Sequence, residues 1–501
     1  MTSNIAPVFL LFSTLLLAIL NLLAPFISKE PSKIRSFLLI MLSSFFFINV
    51  LIIDWLFLSG IRINLSLAVF NNYHIGLYLE PLGLIFLTLL SSLAICALLY
   101  TDKYLAINSI KQSSRFLFFL NLSVLAAIFI SLSSNLFTMF IFYEILTLST
   151  ACLIGHSGGD KVKAGLYRYL KILMISGMLL FLPAILIIYA KVNHGDFLSQ
   201  GYIANYFSKN QTILLLLMFI FGIAKAALYP LHQWLPAAMV ANYPVSALLH
   251  AVVVVKTGLF CIYKILLYIF GLKYLHSIFI EFNWLLFLPT ITILYSSYKA
   301  IQSNNIKKIL AYSTICQLSI ALLSAFILTP KSMAAAILHL ISHSFSKICL
   351  FYGMGNIYSL LKTNQVENLL GVSKIMPKTS FIILISSLSL IGVPPFGGFI
   401  SKFYIMLAAA EQNQILVMII LILSSILSAL YLIKFLIFIY KPAVENNDVV
   451  RSKMVKQLNK VNIIENKLPF SMLVSLIICS LAVILFGFIQ PFINQFFVFI
   501  G

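Results

Sequence analysis

The chain has 501 residues, of which 61% are hydrophobic and only 9% charged, with a mean hydropathy of +1.06. That composition excludes a soluble enzyme, and the longest polar stretch, Lys441 to Lys467, leaves no room for a soluble domain. The formal net charge of +20 is not a nucleic-acid signature, because the basic residues sit in short loops between apolar runs, where they set membrane topology.

Apolar runs of about 20 residues are the unit that crosses a bilayer. Fourteen are predicted, at roughly 5–27, 36–58, 79–100, 114–131, 134–154, 165–190, 212–229, 244–270, 284–302, 308–328, 333–360, 380–408, 414–440 and 469–499. The first lacks a basic segment before it and is read as a retained helix, not a cleaved signal. Spans 4 and 5 are divided only by the turn Ser131–Asn135. Basic residues test the count. Alternate loops carry Lys29, Lys33 and Arg35; Lys103, Lys111 and Arg115; Lys161, Lys163 and Arg168; Lys307 and Lys308; Lys362, Lys374 and Lys378; and Lys441, Arg451, Lys453, Lys456, Lys460 and Lys467, while the loop after span 7 belongs to this set and has no basic residue. The intervening loops hold only Arg62, Lys191, Lys209, Lys273 and Lys331. The rich loops are therefore expected in the cytoplasm and both termini outside. Cysteines 96, 152, 261, 316, 349 and 479 stand singly in apolar runs, so no disulfide frame or cysteine metal site is indicated.

The expected fold is an all-α polytopic membrane protein of about 14 transmembrane helices. Spans 4–8 and 9–13 form two five-helix repeats. An odd offset inverts the second copy in the membrane. Prolines 230, 236 and 244, and Pro394-Pro395 with glycines 392, 397 and 398, make spans 7 and 12 discontinuous. The expected segments are 1–113, 114–270, 284–440 and 441–501, the last a cytoplasmic loop with a final helix.

Ionisable residues at bilayer depth are costly and mark ion pathways. Lys225 precedes Pro230 in FIFGIAKAALYP, and Lys256 lies in LLHAVVVVKTGLF. Glu144 is mid-span in LFTMFIFYEILTLST and is the natural partner of Lys225. The bland alternatives are a fixed ion pair and lysines that snorkel to an interface. His339, His343 and Lys347 recur every four residues in span 11, so they share one face, which suits a proton relay. Interhelical hydrogen bonding by Ser342, Ser344 and the histidines is the bland reading. Metal binding is a third, with no third ligand nearby. Lys402 follows the second break. His250, six residues before Lys256, lies off its face and bridges to another helix. His232 and Trp234 are expected at the interface, Glu80 as a cap or interfacial group, and Lys171 as a snorkelling side chain; Lys434 is a weaker candidate. No phosphate loop, nucleophile elbow, haem or quinone signature appears, so no cofactor is expected.

The segment PLHQWLPAAMVANYPVSALLHAVVVVKTG, with FYEILTLST, KKILAYSTICQLS, LHLISHSFSKICLFYGMG and GVPPFGGFISK, resembles the proton-conducting, antiporter-like membrane subunits. These occur in respiratory complex I, membrane-bound hydrogenases and multisubunit Mrp-type sodium/proton antiporters. The likeness covers about residues 75 to 440. It implies fourteen core helices with inverted repeats and broken helices 7 and 12. It implies Glu144 and Lys225 as an ion pair, Lys256 and Lys347 as connecting groups, and Lys402 as the terminal exchange site. SALLHA with HLISHSFSK is similar to the large terminal subunit of complex I, whose long lateral helix finds no counterpart after Tyr440. EPLGLIF at 80–86 replaces the family's common Asp-Gly-Leu pattern. The resemblance implies an MrpD-like role in a bacterial inner membrane, moving protons against Na⁺ or K⁺ with other membrane subunits. The runner-up is a proton-pumping subunit of a redox-driven NADH-quinone oxidoreductase or hydrogenase, and a transport-dead scaffold is the third reading.

Overall fold

The computed structural model describes residues 5–27, 33–61, 64–70, 73–442 and 464–488. Lys29, Arg62, the basic residues from Arg451 to Lys460 and the end of span 14 lie outside them. Among the described residues, eleven helices are long and apolar enough to cross a membrane. They account for spans 1–6, 8, 10, 11, 13 and 14. The other three have local reasons to fall short. Span 7 keeps only Lys209–Gly222 as regular helix. Span 9, Phe287–Gln302, has 16 residues and is extended by a 3₁₀ turn. Span 12 is split into Pro377–Ile391 and Gly397–Glu411. The chain is thus a polytopic helical membrane protein with spans 7 and 12 discontinuous.

Contacts between loops show that successive spans cross in opposite senses. On one face, His156 Nε2 donates to the Lys111 carbonyl (2.9 Å), the Lys362 ammonium to Asn108 Oδ1 (2.5 Å), and Ile306 N to the Asn364 carbonyl (2.9 Å). On the other, Ser134 N donates to Gly76 O (3.0 Å), Phe197 N to Ser134 O (3.0 Å), and His276 bonds Gln412 (3.2 Å). The split of spans 4 and 5 is firm: span 4 ends at Leu132, span 5 starts at Leu136, and Asn135 Oδ1 caps Thr138 N at 2.8 Å.

Among the described residues the fold adds one non-helical element. β1 (Asn64–Phe70) and β2 (Tyr73–Tyr78) form an antiparallel hairpin between spans 2 and 3. Spans 8 and 11 are central: the apolar window of each is 100% buried, against 33–39% for spans 1, 2, 13 and 14. Polar side chains on a helix that meets only protein need internal partners. Those two spans carry most of the candidate residues.

Candidate functional site

Span 7 breaks before its prolines. The helix stops at Gly222, Ile223 turns to φ −89°, ψ 59°, and a 3₁₀ turn covers Ala224–Ala226. Ala227 is left-handed at φ 58°. Lys225 therefore sits in the break itself, not inside a helix ended by Pro230. Gly222 lies against span 6, where a Cβ would come within 2.5 Å of Phe181 N. The Trp234 indole donates to the Ala224 carbonyl at 2.9 Å, pairing a group that the break frees.

Lys225 is completely buried. Its ammonium donates to the Tyr143 carbonyl (2.8 Å) and Thr147 Oγ1 (2.6 Å), and lies over the Tyr143 ring. Tyr143 and Thr147 are one turn apart on span 5. Glu144 is rotated by about 100° from Tyr143. It points at span 6, where a Cβ on Gly177 would collide with its Oε1. Its oxygens make no hydrogen bond of ordinary geometry, although Thr147 lies beside them. The expected contact ion pair is thus not formed. Span 5 offers Lys225 two neutral acceptors on one face and directs Glu144 elsewhere, while the charges stay within electrostatic reach. Gly177 opens a π-helical turn, Gly177–Phe181, an irregularity frequent at functional sites.

Span 8 has a similar irregularity. A π turn, Leu248–Val252, ends in a kink at Val253 (φ −121°, ψ −69°), and regular helix resumes at Val254. Gly258 lets this helix lie against the broken segment of span 7: a Cβ there would be 2.5 Å from Ala226 N. The same helix carries Lys256 two residues earlier, rotated by about 200° from that contact. The Lys256 ammonium bonds His343 Nδ1 of span 11. A lysine and a histidine that both carry all their protons can only donate, so this contact holds at least one proton less than the pair can take up. His339 stands one turn away, with ring centroids 6.4 Å apart. Its Nδ1 pairs with Ser401 Oγ at 2.9 Å. One turn the other way, Lys347 donates to the Leu310 carbonyl (3.1 Å) and to the Ser313 hydroxyl of span 10. His250 packs on Phe351 of span 11 at 4.9 Å, its nitrogens unpartnered, within electrostatic reach of Lys256 and Lys347.

Lys402 closes the row. Its ammonium donates to the Leu390 carbonyl (3.0 Å), the Ile391 carbonyl (2.9 Å) and Ser425 Oγ (3.0 Å). Leu390 and Ile391 end the first half of span 12, so the cation sits on carbonyls that the break leaves free, at the negative end of the helix dipole. Gly392 (φ 94°) turns the chain away there. The structure brings Lys256, His250, His339, His343 and Lys347 into one cluster. Ser401 links it to Lys402, Lys225 lies against span 8 at Gly258 on the side away from the cluster, and Glu144 lies beyond.

Two buried ion pairs escape the sequence reading. Lys264, two turns past Lys256, bonds Glu80 Oε1 at 2.7 Å and the Ser133 carbonyl at 2.6 Å. Glu80 is therefore a buried charge partner; it stands at the N-cap position of span 3 but makes no side-chain cap hydrogen bond. Arg35, counted as a loop cation, is buried and bonds Asp102 at 2.6 Å. His232 and Trp234 are also buried, because the broken span 7 folds them inward. Lys434 reaches Asn304 Oδ1 at 2.9 Å and so snorkels to the loop face. Among the described residues no three His, Cys, Asp or Glu side chains converge as a metal site.

Residues 133–428, more than half the chain, match the family described as "NADH:quinone oxidoreductase/Mrp antiporter, TM". The chain is 32% identical over 412 residues to "NAD(P)H-quinone oxidoreductase subunit 5, chloroplastic" of Draba nemorosa, covering 77% of this chain and 53% of that protein. The Arabidopsis thaliana counterpart is 31% identical over 413 residues, with the same coverage. The chain spans about half the length of the curated relatives it matches. Among solved structures, a chain of the Mrp complex from Dietzia sp. DQ12-45-1b aligns with a TM-score of 0.79 at 18% identity, over 97% of this chain and 96% of that one. A chain of the membrane-bound sulfane sulfur reductase, an archaeal respiratory membrane complex, gives 0.74 at 20% identity, over 99% and 100%. At those identities the alignments establish the fold alone. The matched region holds every residue of the buried row, and the chain belongs to the NADH:quinone oxidoreductase/Mrp antiporter family of multi-pass membrane subunits.

Proposed function

We propose that this chain is the proton-translocating component of a multisubunit monovalent cation/proton antiporter, resembling MrpD. It lies in a bacterial inner membrane with both termini outside and works with other membrane subunits. Protons pass along Glu144, Lys225, Lys256, the His250–His343–His339–Lys347 cluster and Lys402, in either direction, coupled to Na⁺ or K⁺. Residues 114–270 and 284–440 act as two inverted half-channels, flanked by 1–113 and 441–501. The observation that carries this reading is the Lys256–His343 contact at the centre of the bundle, which joins two buried groups of a kind that exchanges protons. The unpartnered atoms around it, His343 Nε2, His339 Nε2 and Ser342 Oγ, are of the kind that bind bridging water.

The test is cation/proton exchange in everted vesicles. Glu144→Ala and Lys225→Ala are expected to abolish exchange while the complex still assembles; unchanged exchange would remove both residues from the path. A second reading, a proton-pumping subunit of a redox-driven quinone oxidoreductase, is favoured by the identity to the chloroplastic subunit 5 proteins. Purification in mild detergent separates the two: flavin and iron–sulfur partners support the redox complex, small membrane subunits alone the antiporter.

A further inference from the structure

A cleft of about 610 Å³ opens on the loop face that carries the basic loops. Spans 6, 7, 9 and 10 bound it. Its walls bring together Lys161, Arg168, Lys299 and Lys308, and among the described residues no carboxylate lines it. These cations come from parts of the chain more than a hundred residues apart, so folding assembles the cluster. The nearest acid in sequence, Asp160, faces Lys163 instead, at 3.9 Å. The cleft is also lined by His232, which is only 1% exposed and whose Nδ1 has no hydrogen-bond partner. The rings of Tyr229 and Tyr295 hold that imidazole in place, with centroids 5.5 and 4.9 Å away. Four like charges and a fixed imidazole, with no acid among them, concentrate an anion.

We infer that this cleft binds the phosphate of an anionic phospholipid, with the acyl chains lying along span 9. The level and the flank of the cleft argue for lipid. Lys161 lies in the first turn of span 6, Lys299 in the last turn of span 9 and Lys308 in the first of span 10, at the depth of the helix ends, and Arg168 lies in the third turn of span 6, about 12 Å further in. Below them Ile291, Leu294 and Tyr298 form an exposed apolar stripe on span 9, next to Tyr295 in the cleft wall. Headgroup and chain surfaces are therefore continuous. The Arg168 guanidinium offers a fork matched to two phosphate oxygens, and the lysines add point charges. Occupancy would also brace His232 and with it the segment that carries Lys225.

The test uses the full chain in neutral detergent, exchanged with phosphatidylglycerol or phosphatidylcholine of the same acyl chains, with bound lipid counted by native mass spectrometry. Phosphatidylglycerol is expected to be retained in preference to phosphatidylcholine. At about five-fold per cation, Arg168→Gln/Lys299→Gln/Lys308→Gln should weaken retention roughly a hundred-fold. Lys191→Gln/Lys209→Gln/Lys273→Gln removes the same charge from the opposite face and should leave retention unchanged. Equal loss in both triple variants, or equal retention of the two lipids, would overturn the proposal. Displacement by millimolar inorganic phosphate would overturn the lipid as occupant and leave a free-phosphate site.

Discussion

Replacing Glu80 by leucine tests how far this bundle depends on a buried charge pair outside the row. Glu80 and Lys264 are 3% and 0% exposed and meet at 2.7 Å. At an effective dielectric of about 20, that separation corresponds to about 6 kcal/mol of attraction, much of it offset by the desolvation of both ions. Glu80→Leu removes the partner and leaves a buried ammonium. Breaking such pairs costs about 3–5 kcal/mol. Lys264 keeps its bond to the Ser133 carbonyl at 2.6 Å, so the lower end, about 3 kcal/mol, is expected here. The double variant Glu80→Leu/Lys264→Met removes both charges and should recover most of that loss. The assay is the denaturation midpoint in neutral detergent for the four members of the cycle. A loss below about 1 kcal/mol in Glu80→Leu, the range of exposed pairs, would refute the reasoning, as would a double variant no more stable than the single.

Two further perturbations bear on the packing that positions the row. Gly258→Val would force span 8 away from Ala226 and Lys225, and is expected to cost about 1–3 kcal/mol in the same denaturation assay and to slow exchange; an unchanged midpoint would show that the close approach is not required. Glu465 accepts from Thr379 N (2.7 Å), Lys378 N (3.1 Å) and Thr379 Oγ1 (2.6 Å), capping span 12 from a distant segment. Glu465→Ala should cost about 1–2 kcal/mol, and limited proteolysis should cut more readily between spans 13 and 14; an unaltered digestion pattern would contradict that role.

Local features are legible in the sequence, and tertiary ones are not. The break in span 12 shows because Pro394-Pro395 and three glycines are adjacent in the chain. The His339–His343–Lys347 stripe shows because a spacing of four is fixed by helix geometry alone. The break in span 7 falls earlier than its prolines suggest, because its position follows the contact of Gly222 with Phe181 and the left-handed Ala227. The Glu144–Lys225 contact does not form as the sequence suggests, because the rotation of span 5 decides which groups face the ammonium, and it presents Tyr143 and Thr147. Glu80–Lys264 and Arg35–Asp102 join distant positions, and no local pattern announces either pair. Lys264 itself carries a weak signal, a mid-span lysine two turns past Lys256.

Lys347 lies one turn from His343 in the central cluster, held by span 10 and within electrostatic reach of His250 and His343. Its replacement by methionine keeps length and apolar volume and removes the ammonium, with its exchangeable proton and its bonds to Leu310 and Ser313. Proton flux in everted vesicles containing the assembled Lys347→Met complex is therefore the most direct test. Flux is expected to fall to background while assembly of the complex is normal. Flux at the unsubstituted level would contradict the claim that protons travel along this row.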